Sequence, residues 1–479
     1  MSADAQVLAR NTTHFTLALV AQKVISFLYF TYLARIFVPA EIGQYVFALS
    51  FTLIFSVLID VGLGYVLTTE VAKDKSRAQE YWQNTIGFKL IAIAGTIIIA
   101  WVAINLMGYS GLTRELVYIS FIIMVLDSFM LSAYSLIRAY QNLWWESLGT
   151  VLFQFIVAIA GFIITQFTRD LRFIILALVL AGLVNVTYSW NRLASFGIKL
   201  WPKFDSLVIK KLLILAWPFG VALLLTRLYG YSDTVLLSWL AGDAAVGYYS
   251  VAYKITFAWQ FIASAFAASL LPGFSSYFAG DKSLLVSTFT KSVHYLNVIS
   301  FPLAAGFFVL GPAVIRFIYP QYQAAILPLQ ILIFSLVFIF LTFPVGSLLS
   351  AGGRQKRNTL NLLITVVISV ALNIMLIPQY QAVGAAVASL VSAVIYFILG
   401  WSVIHQLIQV SYKQIIFNVF RVGLSAICMG IIIKVLQPQL NLLLVIFIGM
   451  VSYGIFSLVL KSFSMAEIKN FKRLIFSRG

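Results

Sequence analysis

Fourteen apolar stretches, none alternating in polarity, constrain this chain more than any other feature. Their approximate limits are 12–36, 43–66, 84–107, 115–137, 147–168, 172–193, 211–239, 245–272, 290–310, 322–349, 358–378, 382–405, 414–436 and 440–461. A helix rises about 1.5 Å per residue, so about 20 apolar residues cross a hydrocarbon core about 30 Å thick. In lipid the backbone must satisfy its own hydrogen bonds, which leaves helices or a closed barrel, and barrel strands would alternate. The residues are 62% hydrophobic and 10% charged, against about 25% charged in soluble domains. The expected fold is therefore all-α: a polytopic membrane protein with about 14 transmembrane helices.

Charge placement predicts the topology. With an even number of spans, both termini lie on one side. Counting Lys and Arg in the loops puts 21 of the 32 on the side of the termini and 5 opposite, with the rest inside spans. Cytoplasmic segments carry that excess, so both termini are expected in the cytoplasm. A net charge of +17 would suggest nucleic acid in a soluble protein. Here the loop bias explains most of it, and no nucleic-acid partner is expected. The longest loop, residues 194–210, is basic and holds Trp201-Pro202. It separates a first six-helix half from the remainder.

The chain repeats itself. Shifting by 204 positions lays Gly43-Gln44-Tyr45 on Gly247-Tyr248-Tyr249 and carries Lys23 onto Arg227. Each half thus places one cation at the same point of its first helix, as in transporters built from parallel repeats. A charge at membrane depth costs at least about 2.5–3.5 kcal/mol, which marks it as functional by default. Lys254 and three acids, Asp60, Asp127 and Asp233, also lie within spans. Depth matching offers Asp233 to Lys254 as an ion pair across one hairpin. It offers Asp60 to Lys23 in the same way, and Asp127 sits at the depth of Lys23. Arg227 has no acid at its own depth within its hairpin. An unpaired guanidinium at mid-membrane faces water or an anion, and guanidinium suits phosphate. Lys23 and Arg227 are accordingly expected to line a central cavity and hold an anionic substrate, with Lys254 as a further cation. Asp60, Asp127 and Asp233 are expected in ion coupling or ion pairing. Pro218, Pro302 and Pro344 fall within spans, where they kink helices or simply pack.

Enzyme signatures are missing from the sequence. It has no Gly-x-x-x-x-Gly-Lys-Ser/Thr, no Gly-x-Ser-x-Gly and no His-Glu-x-x-His. Cys428 is the only cysteine, and His14, His294 and His405 are far apart, so neither a disulfide nor a metal site is expected. Gly352-Gly353-Arg354 reads as a helix end rather than a phosphate cradle. No cofactor is expected.

Several stretches carry a family resemblance. They are residues 34–45 (ARIFVPAEIGQY), residues 60–64 (DVGLG), residues 232–237 (SDTVLL) and residues 243–254 (DAAVGYYSVAYK). Together they resemble the polysaccharide or O-antigen flippases (Wzx type) of the multidrug/oligosaccharidyl-lipid/polysaccharide exporter superfamily. The resemblance implies two pseudo-symmetric six-helix lobes around a cavity, residues 1–205 and 206–408. A trailing helix pair with a basic cytoplasmic tail follows at 409–479. It implies alternating access in the cell (inner) membrane and an undecaprenyl-diphosphate-linked oligosaccharide as substrate. Polysaccharide polymerase and chain-length machinery would be its partners in the membrane lipid. Lys23 and Arg227 occupy the places where such families are thought to engage diphosphate or acidic sugar. Drug or peptidoglycan-precursor export within the superfamily is the alternative. An integral-membrane polymerase or ligase is the alternative from another class, and the short outer loops speak against it.

Overall fold

The computed structural model describes residues 3–463. The basic tail with Lys469, Lys472, Arg473 and Arg478 lies outside the described residues. The described chain forms fifteen α-helices and two short 3-10 turns, with no strand among the described residues. In order these are α1 (Ala3–Ile36), α2 (Pro39–Asp60), α3 (Leu63–Lys73), α4 (Ala78–Leu106) and α5 (Gly111–Ala139). Next come α6 (Leu143–Phe167), α7 (Leu171–Ser195), α8 (Ser206–Ala241), α9 (Asp243–Phe257) and α10 (Gln260–Ala279). The chain closes with α11 (Lys282–Ile318), α12 (Ile326–Ala351), α13 (Gln355–Ile404), α14 (Tyr412–Leu436) and α15 (Leu442–Val459). Among the described residues, thirteen helices are long and apolar enough to cross a membrane.

The difference from fourteen lies in α13. Fifty residues in one straight helix would reach about 75 Å, far more than a bilayer. The backbone breaks at Gln381 (φ 49°, ψ −127°), and the two limbs fold back on each other. Asn361 Nδ2 donates to the Leu399 carbonyl at 3.0 Å, and the Tyr396 hydroxyl to Asn358 Oδ1 at 3.3 Å. The expected spans 358–378 and 382–405 are these two limbs. The eighth expected span, 245–272, is interrupted instead, by a turn at Ala258–Trp259 between α9 and α10. Helices α8, α11 and α12 run on through Pro218, Pro302 and Pro344. At the end of α12 Gly353 takes a left-handed φ of 69°, as a helix stop asks of glycine.

The scarce acids mostly mark helix starts. Asp170, Asp205 and Asp281 each accept backbone N–H bonds in the first turn of α7, α8 and α11. Glu41 does so for α2, taking the Val38 N–H at 3.0 Å. Such caps satisfy donors the helix itself leaves open.

The chain divides into two compact units, residues 1–247 and 248–479. In the first, α5 is central and packs on α2, α3, α4, α6 and α7, while α1 lies on α6. Helix α8 packs on α2, α3 and α4 and falls within the first unit. In the second unit α12 is central, between α10, α11 and α13. In the same unit α14 packs along α11, and α15 on both.

Within the first unit, the turns at Pro39 and Asp243 face each other. Gly43 is so close to the Asp243 carbonyl that a methyl group there would overlap it, and Gly247 stands in the same relation to the Pro39 carbonyl. Positions 39 and 243, and 43 and 247, are equivalents under the 204-residue shift. The two contacts are thus one contact with the repeats exchanged. Gly43→Ala should separate the turns and lower the amount of folded protein in membranes. A much smaller loss is expected from Gly230→Ala in α8, where a methyl group meets nothing.

Candidate functional site

Arg227 lies in α8, half-buried. Its guanidinium carbon is 5.9 Å from the centre of the Tyr231 ring, one helical turn on. Its Nε is buried and has no hydrogen-bond partner. Arg227 takes part in none of the ion pairs found among the described residues. Asp127, half-buried on α5, lies within electrostatic range of it. Sequence depth placed Asp127 level with Lys23; the fold brings it into electrostatic range of Arg227. The site is therefore a guanidinium with a spare donor, an aromatic neighbour and a carboxylate near enough to be felt but not bonded. Such a donor can take up a phosphate oxygen without breaking an existing bond.

Lys23 is exposed on α1 and makes no ion pair among the described residues. It stands sixteen residues before Pro39, as Arg227 stands sixteen before Asp243. From each cation to the end of its helix is about 20 Å at 1.5 Å per residue. Asp233, buried on α8, accepts the Thr234 N–H at 2.7 Å. Lys254 is half-buried on α9, in the second unit.

Asp60 is not matched with Lys23. Its partner is Lys89 of α4, a residue that sequence reasoning passed over. Lys89 Nζ donates to Asp60 Oδ1 at 2.7 Å and to the Ser128 carbonyl and hydroxyl at 3.0 Å each. All three ammonium protons are used. The Lys89 side chain is 0% exposed and that of Asp60 17%. Asp60 also accepts the Gly64 N–H at 3.4 Å. The pair braces the break between α2 and α3, where Val61 (φ 45°) and Gly62 (φ 86°) are both left-handed. That conformation is costly for a β-branched residue such as Val61. A Cβ on Gly62 would collide with the Ala216 carbonyl and the Gly220 nitrogen of α8, so only glycine fits. The signal in the sequence was depth: Lys89 lies a few residues inside the third span, and Asp60 a few residues from the same end of the second.

The family described as polysaccharide biosynthesis protein matches residues 8–278, and that described as MatE matches residues 218–375. The capsular polysaccharide biosynthesis protein CapF of Staphylococcus aureus is 22% identical over 390 residues, covering 80% of this chain and 96% of its own. The probable low-salt glycan biosynthesis flippase Agl15 of Haloferax volcanii is 22% identical over 482 residues, covering 98% and 99%. Among solved structures, the lipid II flippase MurJ in an inward closed conformation superposes with a TM-score of 0.78 at 16% identity. That match covers 92% of this chain and 97% of that one.

Proposed function

The chain belongs to the polysaccharide biosynthesis protein family of multi-pass membrane proteins, with more than half its length matched, and from that premise we propose that it is a flippase. Its substrate is an oligosaccharide linked through diphosphate to undecaprenol, moved from the inner to the outer leaflet by alternating access. The observation that carries this reading is the half-buried Arg227, whose Nε has no partner although it lies in a membrane-crossing helix. A diphosphate supplies the acceptor that the helix bundle withholds. Lys23, its equivalent under the repeat, is the other cation of the head-group site. Asp127 is the counter-charge that holds Arg227 between substrates, and an exchangeable proton on it would couple transport to ion flow. The lipid tail stays in the bilayer, so no catalytic step is needed, and a polymerase and chain-length machinery act on the product.

Both termini lie in the cytoplasm, on the side holding 21 of the 32 Lys and Arg, and the membrane is the cell (inner) membrane. Relatives named as capsular polysaccharide and glycan flippase proteins support the same role. The test is deletion of the gene and assignment of the stalled lipid-linked intermediate to a leaflet. Accumulation in the inner leaflet is expected; accumulation in the outer leaflet would point to a polymerase or ligase. The MatE match at residues 218–375 favours drug export as a second reading, and dye efflux from cells making the protein would reveal it.

A further inference from the structure

The linker between α7 and α8 is held as a strap along the start of α4. Gln79 bonds both backbone groups of Lys199, accepting its N–H at 2.7 Å and donating to its carbonyl at 3.1 Å. The Lys203 N–H donates to the Gln83 carbonyl at 3.0 Å, and the Asp205 N–H to Asn84 Oδ1 at 2.8 Å. Gly87 gives the strap room, since a methyl there would overlap the Lys203 carbonyl. Residues 79, 83 and 87 share one face of α4. The strap is thus anchored at successive turns.

Beside it runs a groove of about 630 Å³, lined by Ile91 of α4, Phe204 of the strap, and Leu213, Ile214 and Trp217 of α8, with Lys210 the one charged residue in its wall. From Ser206 to Trp217 the groove follows α8 for about 16 Å, close to half the thickness of a hydrocarbon core. Its apolar walls sit on two membrane-crossing helices. Its strap end is basic: Lys203, next to the lining residue Phe204, and Lys210 are exposed and belong to none of the ion pairs among the described residues. The one acid on the strap, Asp205, spends its carboxylate on the Leu207 and Val208 N–H groups.

We infer that this groove is a binding site for an anionic phospholipid, with its phosphate on Lys203 and Lys210 and one acyl chain along Ile91, Leu213, Ile214 and Trp217. Charge complementarity selects the head group. A free phosphate would leave the apolar walls unfilled, and a zwitterionic lipid would bring its own cation to that basic end. Each lysine near a membrane surface is worth about fivefold in affinity for anionic lipid. The site asks nothing of transport and stands apart from Arg227.

Native mass spectrometry of the purified full-length protein, titrated with phosphatidylglycerol and phosphatidylcholine of matched chains, tests it. Phosphatidylglycerol should be retained about fivefold or more over phosphatidylcholine. Lys203→Gln with Lys210→Gln should abolish that preference at unchanged melting temperature, while Lys282→Gln, exposed in the second unit, leaves it intact. Trp217→Ala should weaken both lipids alike. Equal retention of the two lipids, or a preference that survives the double substitution, overturns the proposal. So does displacement of bound phosphatidylglycerol by stoichiometric undecaprenyl phosphate, which would give the groove to the transported lipid. Because no sugar-linked lipid is present, failure here leaves the flippase reading untouched, and the reverse also holds.

Discussion

Lys89→Met should destabilise the first unit by about 3 kcal/mol, the low end of what breaking a buried ion pair costs. The substitution removes three hydrogen bonds at once and leaves the Asp60 carboxylate with only the backbone N–H groups of Gly62 and Gly64. The 17% exposure of Asp60 gives water some access, which keeps the cost from the top of that range. The break at Val61–Gly62 is the place the damage should show, because left-handed backbone at a valine persists only while its surroundings hold it. The measurement is the melting temperature of purified protein in detergent, with membrane levels alongside. Lys89→Met combined with Asp60→Leu should recover most of the loss, since exchanging both partners for apolar groups removes the stranded charge. If the single and double variants melt alike, the ion pair is not what holds the α2–α3 break.

Depth along a helix was legible in the sequence, while the direction a side chain faces was not. The fourteen spans follow from composition and length, and α13 contains two of them because its break at Gln381 falls between the expected limits. The interruption of the eighth span was not legible: Ala258–Trp259 has no proline and no glycine. The repeat was visible as one motif and two cations. Its structural content, the exchange of Gly43 and Gly247 between facing turns, needed coordinates. Matching charges by depth within one hairpin led to Lys23 for Asp60, whereas the partner, Lys89, comes from the next helix at the same end. The same limit hid the relation of Arg227 to Asp127, which joins α8 to α5 across a hundred residues. Side-chain azimuth depends on which helices become neighbours, and those of α8 include α2, α3 and α4.

Arg227→Ala should abolish surface polysaccharide while leaving the protein at normal levels in the membrane. The structural cost is small because, among the described residues, the guanidinium has no ion pair to lose and its Nε no hydrogen bond. The functional cost is large because a charge-assisted bond to phosphate is worth about 1.5–3 kcal/mol, which is about 10- to 150-fold in substrate affinity. Arg227→Lys keeps the charge but loses the planar fork, so it should retain partial activity. Asp127→Asn separates the two roles open to the nearby acid. If Asp127 only tempers Arg227, the amide variant should bind substrate at least as tightly and release it slowly. If it carries a proton through the cycle, transport should stop and lose its response to a pH gradient. Lys23→Ala provides the comparison across the repeat: exposed on α1, it too has no ion pair to lose among the described residues. A defect confined to transport in both Arg227→Ala and Lys23→Ala would tie the two equivalent cations to one head group. Normal polysaccharide in Arg227→Ala would mean that the open donor in α8 serves something other than the transported anion.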